Sequence, residues 1–423
     1  MNSVESGQQH AALAPAFGCR SCGAPVTDTF VDLGMSPLCQ THISVAQLDA
    51  MEAFYPLHAL VCPSCFLVQL KEYVAPGDIF SEYAYFSSYS DSWVDHARRY
   101  AAHMQQYFGI HSGSLVMEIA SNDGYLLQHF VASGVPVLGI EPAANVAKEA
   151  IARGVRTEVA FFGVATARDV ATRFGKPDLL LGNNVLAHVP DINDFVGGMK
   201  ELVAPRGVIT MEFPHLLRLM EQNQFDTIYH EHFSYLSWGS VCRVFERHGL
   251  VLFDVEELST HGGSLRIYGR HASDNSRPVT DRARDLLQRE LAFGMQSLST
   301  YAGFGEQVRE TKRNILEFLI AAKRQNKSIV GYGAPGKGNT LLNYCGIRQD
   351  FLDYTVDRNP YKQGKYTPGT HIPIRDPAAI SETRPDYVLI LPWNLKDEIV
   401  SQLAYIRDWG GKFVVPIPRV QVF

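Results

Sequence analysis

No apolar run in this sequence approaches the ~18–20 residues needed to cross a bilayer, so no membrane span is expected. Basic charge is not in excess: 38 Lys and Arg stand against 44 Asp and Glu, a formal net charge of −6. Neutralising a phosphate backbone takes clustered cations, so this balance argues against a general nucleic-acid binder. The opening residues, MNSVESGQQH, lack a basic stretch followed by an apolar one; no secretory leader is read, and the expected compartment is the cytoplasm. There is no fixed-period repeat and no low-complexity tract. Charged residues make up only 19% against 46% hydrophobic, the balance of a chain that buries a core. At roughly 150 residues per domain, 423 residues point to two or three domains.

Cysteine is also scarce, seven in all, but four of them are arranged. 19-CRSC-22 and 62-CPSC-65 are two C-x-x-C knuckles with 39 residues between them. A two-residue spacer lets both thiolates of a knuckle face one cation, and two knuckles complete the tetrahedron that structural zinc prefers. A redox pair or unrelated thiols is the alternative; disulfides are disfavoured in the cytoplasm. Four protein ligands leave no open position, so the expected metal at Cys19, Cys22, Cys62 and Cys65 is structural. Cys39, Cys242 and Cys345 read as small core residues.

After a tail over residues 1–16, short β-rich pieces surround the knuckles up to Glu82. The aromatic stretch 83-YAYFSSYSDSW-93 follows, with Tyr83, Tyr85 and Tyr89 as candidates for a lid or an interdomain seam, and then a helix near 94–107. From Leu115 the pattern alternates strand, turn and helix (LVMEIA, VPVLGIEP, DLLLGNNV, GVITMEF), closing with VLFDVEEL and SLRIYGRH as an antiparallel pair. A polar boundary at about 272–283 precedes helices over 284–325 and a second alternating unit from Ser328. Strands alternating with helices imply mostly parallel sheets covered on both faces. The expected fold is α/β: a small N-terminal module (1–82), a central Rossmann-like domain (83–271) and a C-terminal Rossmann-like domain (272–423).

A ligand is expected beyond the carboxyl end of the first central strand, at 115-LVMEIASNDGYLL-127. That turn has a single glycine, Gly124, where a dinucleotide pyrophosphate usually demands several. Glu141, 23 residues after Glu118, ends the next strand and is placed to accept hydrogen bonds from both hydroxyls of a ribose. A glycine-poor turn followed by this acid suits S-adenosylmethionine better than NAD, since a sulfonium needs no phosphate cradle; a chemically silent βα turn is the bland alternative.

In the second unit, 331-GYGAPGKG-338 matches G-x-G-x-x-G between a strand and a helix, and Asp357 ends the following strand. Taken alone this is an NAD fingerprint. Lys337 within the turn supplies a point charge for phosphate, and a chain that already holds one cofactor fold has reason to hold its second reactant here, so a sugar nucleotide is favoured. A packing role for the glycines stays open.

Between the two units lies 225-FDTIYHEHFSYLS-237. Histidine is the side chain best suited to take a proton near neutral pH. This is not H-E-x-x-H, so no zinc-binding helical face is implied. In an extended stretch His230 and His232 would share one face and Glu231 the other. His188, in 183-NNVLAHVPD-191, follows the central strand's carboxyl end, where such sheets place reacting groups.

Together 19-CRSCG-23, 118-EIASNDGYLL-127, 183-NNVLAHVPDINDF-195, 212-EFPHLL-217, 226-DTIYHEHFSYLS-237, 260-THGGSLRIY-268, 333-GAPGKGNTLLNY-344, 356-VDRNPYKQGK-365 and 391-LPWNLKDE-398 resemble the sugar-nucleotide C-methyltransferases of branched-chain deoxysugar synthesis, from Cys19 to the C-terminus. The resemblance implies a zinc-bearing N-terminal domain, a central class I S-adenosylmethionine domain, and a C-terminal domain that helps bind the nucleotide sugar. It implies methylation at carbon 3 of an NDP-4-keto-6-deoxyhexose, dTDP- or GDP-linked, by a monomer. It implies active-site roles for Tyr83, His188, Tyr229, Glu231 and His232. His232 is the expected base, Tyr229 or His188 the stabiliser of the enolate oxygen, and Glu231 the residue that orients the histidine. Cofactor contacts are expected from Glu118, Ala120, Asn122, Gly124, Glu141, Asn183 and Asn184, and substrate contacts from Gly333, Gly336, Lys337 and Asn339. The rival readings are an NAD-dependent oxidoreductase using the C-terminal fingerprint and a zinc-bearing interaction protein.

Overall fold

The computed structural model describes residues 17–74 and 87–423; the expectations for Tyr83 and Tyr85 lie outside the described residues. The first three strands, β1 (Asp28–Ser36), β2 (Tyr55–Val61) and β3 (Val68–Leu70), form an antiparallel ladder beside the cysteine knuckles.

The central unit opens with the helix Asp91–Phe108. Ser90 caps its first turn, and Gly109, at φ 66°, ends it in the left-handed conformation that glycine adopts without strain. Ala97, Tyr100, Ala101 and Met104 recur at helical spacing and form its buried stripe. The strands that follow are β4 (Val116–Ile119), β5 (Val137–Ile140), β6 (Thr157–Glu158), β7 (Leu179–Asn183), β8 (Val208–Pro214), β9 (Ser234–Tyr235), β10 (Leu250–Leu258) and β11 (Ser264–His271). Seven of them make one sheet in the order β10-β11-β8-β7-β4-β5-β6. Neighbours from β6 to β8 are parallel, and β11 and β10 close the edge antiparallel, as the two late strand patterns predict. In order of appearance this is 3-2-1-4-5-7-6, the topology of class I S-adenosylmethionine methyltransferases.

The C-terminal sheet runs β14 (Ile374–Arg375), β13 (Thr355–Val356), β12 (Ile329–Tyr332), β15 (Tyr387–Ile390), β16 (Lys412–Val415) and β17 (Gln421–Val422), parallel except for β17. Its order reverses between β12 and β15, the kind of switch point at which open sheets bind ligands.

The three units do not stack as separate bodies. β9 leaves the central sheet region and pairs with β3, Val68 opposite Tyr235, so a piece of the middle of the chain completes the N-terminal sheet. One apolar core joins Phe30, Val31 and Leu57 to the helix Phe304–Arg324 and the C-terminal strands; another joins Cys19, Cys62, Cys65 and Leu67 to the central sheet. The N-terminal module is thus wedged between the other two, and the residues just before β9 lie where all three meet.

Candidate active site

The four knuckle sulfurs lie within 4.8 Å of one another. Each knuckle turns back on itself, with Gly23 N donating to Cys19 O and Phe66 N to Cys62 O, and this aims both thiols of a pair inward. The Gln69 amide donates to Cys19 Sγ at 3.2 Å, a contact that favours a thiolate. Among the described residues these four buried or half-buried soft donors stand together without a further His, Cys, Asp or Glu, which fits a closed zinc site.

At the carboxyl end of β4 the turn adopts left-handed backbone at Ala120, Asn122 and Gly124. Only the last is glycine, and its reason is packing: a Cβ there would stand 3.3 Å from Ala150 and 3.0 Å from Val155. Glu141 accepts the Asn122 amide on one oxygen and the Ala143 amide on the other, both at 2.9 Å, so it shapes the turn. Both carboxylate oxygens of buried Glu118 lack hydrogen-bond partners, as do the amide atoms of Asn183 and the Ser121 hydroxyl. Burial, then the charges of Glu141, Asp123 and Glu212, holds Glu118 well above the usual carboxylate range. Buried polar groups rarely go unsatisfied. Asp123 and Glu212 are already paired with Arg153 and Arg266; the orphaned polar atoms of Glu118, Asn183 and Ser121 are the ones that fit a ligand carrying hydrogen-bond donors, such as the ammonium group of a sulfonium cofactor. Asn184, also left-handed at φ 54°, hangs beside Asn183 at the end of β7.

The Tyr229–His232 segment is a tight turn, closed by His232 N donating to Tyr229 O at 2.9 Å, and not the extended stretch considered from the sequence. The turn separates the two histidines. His230 faces the N-terminal module, bonded to Pro56 O and edge-on to Tyr55. His232 turns inward, its ring 4.0 Å from Tyr229 and 4.7 Å from His188. Phe233 N donates to Ala187 O at 2.8 Å, which draws the turn against the His188 loop. Of the expected catalytic group, Tyr229, His188 and His232 therefore meet.

Glu231 does not orient His232. His232 Nδ1–H donates to Thr227 O at 2.8 Å, which leaves Nε2 as the lone-pair nitrogen. Burial, then His188, keeps this imidazole well below its usual pKa and therefore neutral. The Glu231 carboxyl turns toward Cys39 Sγ at 3.5 Å, and burial pushes it up to about 7. Its backbone carbonyl instead takes a hydrogen bond from His188.

The C-terminal glycines have a different use from the one expected. A Cβ on Gly336 would stand 2.9 Å from Cys39 Sγ, and one on Gly333 (φ 88°) 2.6 Å from Pro392. Asn339 donates to Cys39 O at 2.6 Å. The Cys39 segment of the N-terminal module thus packs against the Gly336 and Asn339 side of this turn. Asp357 is also engaged by its own surroundings: it accepts the Ala334 and Asn359 amides and pairs with Lys362 at 3.3 Å. Lys337 points away from that turn. Its ammonium donates to Asn394 at 2.8 Å over the Trp393 ring, and Trp393 Nε1 donates to Asp226 at 2.7 Å. Burial lowers Lys337 and lifts Asp226 to about 6, each partly countered by the other's charge.

Sequence reasoning missed Asp226, Trp393, Trp93 and His261. Trp93 lies 4.8 Å from His96 and 5.3 Å from His261, and His261 bonds to Asn184. The available signal was 260-THGG-263, a histidine ahead of two successive glycines, which marks an unusual backbone.

Three family models match consecutive parts of the chain: a zinc binding domain over residues 19–80, a methyltransferase domain over 91–255 and a C-methyltransferase C-terminal domain over 259–418. The chain is 36% identical over 410 residues to the C-methyltransferase NovU of Streptomyces niveus, covering 97% of each. Among solved structures, it is similar to magnesium protoporphyrin IX methyltransferase from Synechocystis PCC 6803 (13% identity, 42% of this chain and 78% of that one, TM-score 0.32). It is also similar to the PH0226 protein of Pyrococcus horikoshii OT3 (13% identity, 46% and 97%, TM-score 0.37).

Proposed function

This chain belongs to the C-methyltransferase family and is a zinc-bearing, S-adenosylmethionine-dependent methyltransferase, and on that premise we propose that it methylates carbon 3 of an NDP-4-keto-6-deoxyhexose. The observation that carries this reading is His232: a buried neutral imidazole whose Nδ1–H is held by Thr227 O and whose Nε2 is left to accept a proton. A carbonyl at carbon 4 acidifies the proton on carbon 3. His232 removes that proton, the C–H electron pair moves into a carbon–carbon π bond, and the carbonyl pair moves onto oxygen. Tyr229, packed on His232, is placed to help hold that oxygen. When bound, S-adenosylmethionine supplies an electrophilic methyl group; carbon 3 takes it, and the carbonyl re-forms. Glu118, Asn122, Glu141 and Asn183 hold the cofactor end of the site. Lys337, buried between Asp226 and Trp393, faces the acceptor end. Holding both reactants in one site contributes much of the acceleration.

The test is mass spectrometry of products after incubating the pure protein with S-adenosylmethionine and a panel of dTDP- and GDP-linked 4-keto-6-deoxysugars. One methyl group gained on carbon 3 of the sugar is the expected result. Transfer to oxygen, or no transfer to any member of the panel, defeats the reading.

A further inference from the structure

The loop Thr260–Gly262 joins β10 to β11, and Ser264 opens β11 opposite Pro214 at the end of β8. It therefore hangs over the same sheet edge as the turns after β4 and β7. His261 sits in it at φ 56°, ψ 17°, followed by Gly262 at φ 92° and Gly263 at φ 123°. A bulky side chain in left-handed backbone is uncommon and persists only where the surroundings impose it. They do so from three sides. Gln224 donates to Gly262 O at 2.7 Å, His215 N donates to Gly263 O at 3.0 Å, and a Cβ on Gly262 would stand 2.5 Å from Trp393.

The imidazole so placed joins the two halves of the site. On the cofactor side, Asn184 Nδ2 donates to His261 Nε2 at 3.3 Å, and the Trp93 ring lies 5.3 Å away. On the acceptor side, it is within electrostatic reach of His188, Lys337 and His232. Because Nε2 accepts from Asn184, the ring proton is carried on Nδ1.

We propose that His261 is a further catalytic residue: fixed by Asn184 as the Nδ1–H tautomer, it donates a hydrogen bond to the acceptor's carbonyl oxygen as negative charge develops there. The proposal rests on the enolate reading above. No proton is transferred to the oxygen; the proton of carbon 3 goes to His232, and His261 keeps its own. Burial, then the Lys337 charge, holds His261 down to about 4, with Glu212 acting in the opposite sense and His96 and His188 in the same sense as Lys337. It is thus a neutral donor across the neutral range, which suits it to stabilise an oxyanion without losing its proton first.

Two measurements on the zinc-loaded protein test this. The first needs no acceptor: nitrogen-15 NMR of the histidine rings should show His261 neutral and protonated on Nδ1 from pH 8 to pH 5. An Nε2–H tautomer, or a charged ring at pH 6, overturns the proposal. The second follows solvent-deuterium exchange at carbon 3 of the acceptor, with S-adenosylhomocysteine bound. His261→Asn tolerates left-handed backbone and His261→Gly removes its strain, so both should fold. Each is expected to slow exchange about 10²–10³-fold, the usual loss of one oxyanion donor, while the dissociation constant of S-adenosylmethionine changes less than threefold. Exchange within threefold of wild type, or cofactor affinity falling in step with exchange, overturns it. Should wild type exchange deuterium into no member of the panel, the acceptor class falls, and the NMR result decides His261 by itself.

Discussion

Two βα turns in this molecule look alike in sequence position and differ in what surrounds them. The turn after β12 has the glycines of a dinucleotide fingerprint, yet its approaches are occupied: Cys39 packs on Gly336, Asn339 holds Cys39 O, and Asp357 binds its own loop. The turn after β4 has one glycine and is chemically hungry, with unsatisfied oxygens on Glu118 and unsatisfied amide atoms on Asn183. Glycine count reports how closely backbone can be approached, not by what. Whether a turn binds a ligand depends on which polar groups the rest of the fold leaves unpaired.

The proposed reading puts the chemistry at the edge of the central sheet, and the largest effect tests that. His232→Asn should cost about 10²–10⁴-fold in kcat with KM little changed, the range for a lost general base. Deuterium exchange into the acceptor at the wild-type rate in this variant, with methylation lost, would recast His232 as a positioning residue.

A second prediction concerns Glu231, which faces the Cys39 segment and not the base. Its carboxyl is held at about 7, above the unfolded value, so the folded state binds the extra proton between pH ~4.5 and ~7. Stability attributable to this group is fully present at the acid end of that window and falls as pH rises through it. Glu231→Gln should therefore gain stability relative to wild type at pH 8, on the order of 2–3 kcal/mol at most, and match it near pH 4.5. Urea unfolding at the two pH values measures this; an equal difference at both would show that the burial of the charge is not the cause.

The two acids that end the second strand of each sheet give the sharpest form of the contrast. Glu141→Ala should weaken S-adenosylmethionine binding by about 1–3 kcal/mol. Asp357→Ala should lower the melting temperature and leave that affinity alone. Calorimetric titration of both variants decides; equal losses of cofactor affinity would erase the distinction between the turns.

The smallest effect concerns the plug. Gly336→Ala should destabilise by about 1–3 kcal/mol through overpacking against Cys39. Cys39→Ala should recover part of that loss in the double variant, since it removes the sulfur the new methyl meets. Additive losses in a double-mutant cycle would mean that the two residues do not touch in solution.

Much of this molecule was legible in its residues. The paired knuckles announced the metal site because ligand spacing is local. The alternating patterns announced both sheets, including the antiparallel closing pair, because a strand or helix declares itself over a few residues. The acid after the second central strand and the histidine after the fourth could be picked out as candidates by their place at strand ends. The rest was set at long range. Cys39 reaches Glu231 across 192 residues and Asn339 across 300. β9 crosses into the N-terminal sheet, and the His230–Glu231 turn, not strand alternation, decides that His230 faces away while His232 faces in.

The sequence by itself determined the kinds of element, the thiolate set and the chemical candidates, since each depends on neighbours within a turn or a strand. Only the tertiary structure decided which candidates share a cavity, which carboxylate is left without a partner, and that a glycine-rich turn is closed by a module more than 290 residues earlier in the chain. Periodicity and spacing act over a few ångströms of local chain. Burial and hydrogen-bond satisfaction are properties of the packed whole, and these are what make a histidine a candidate base or a glycine a contact.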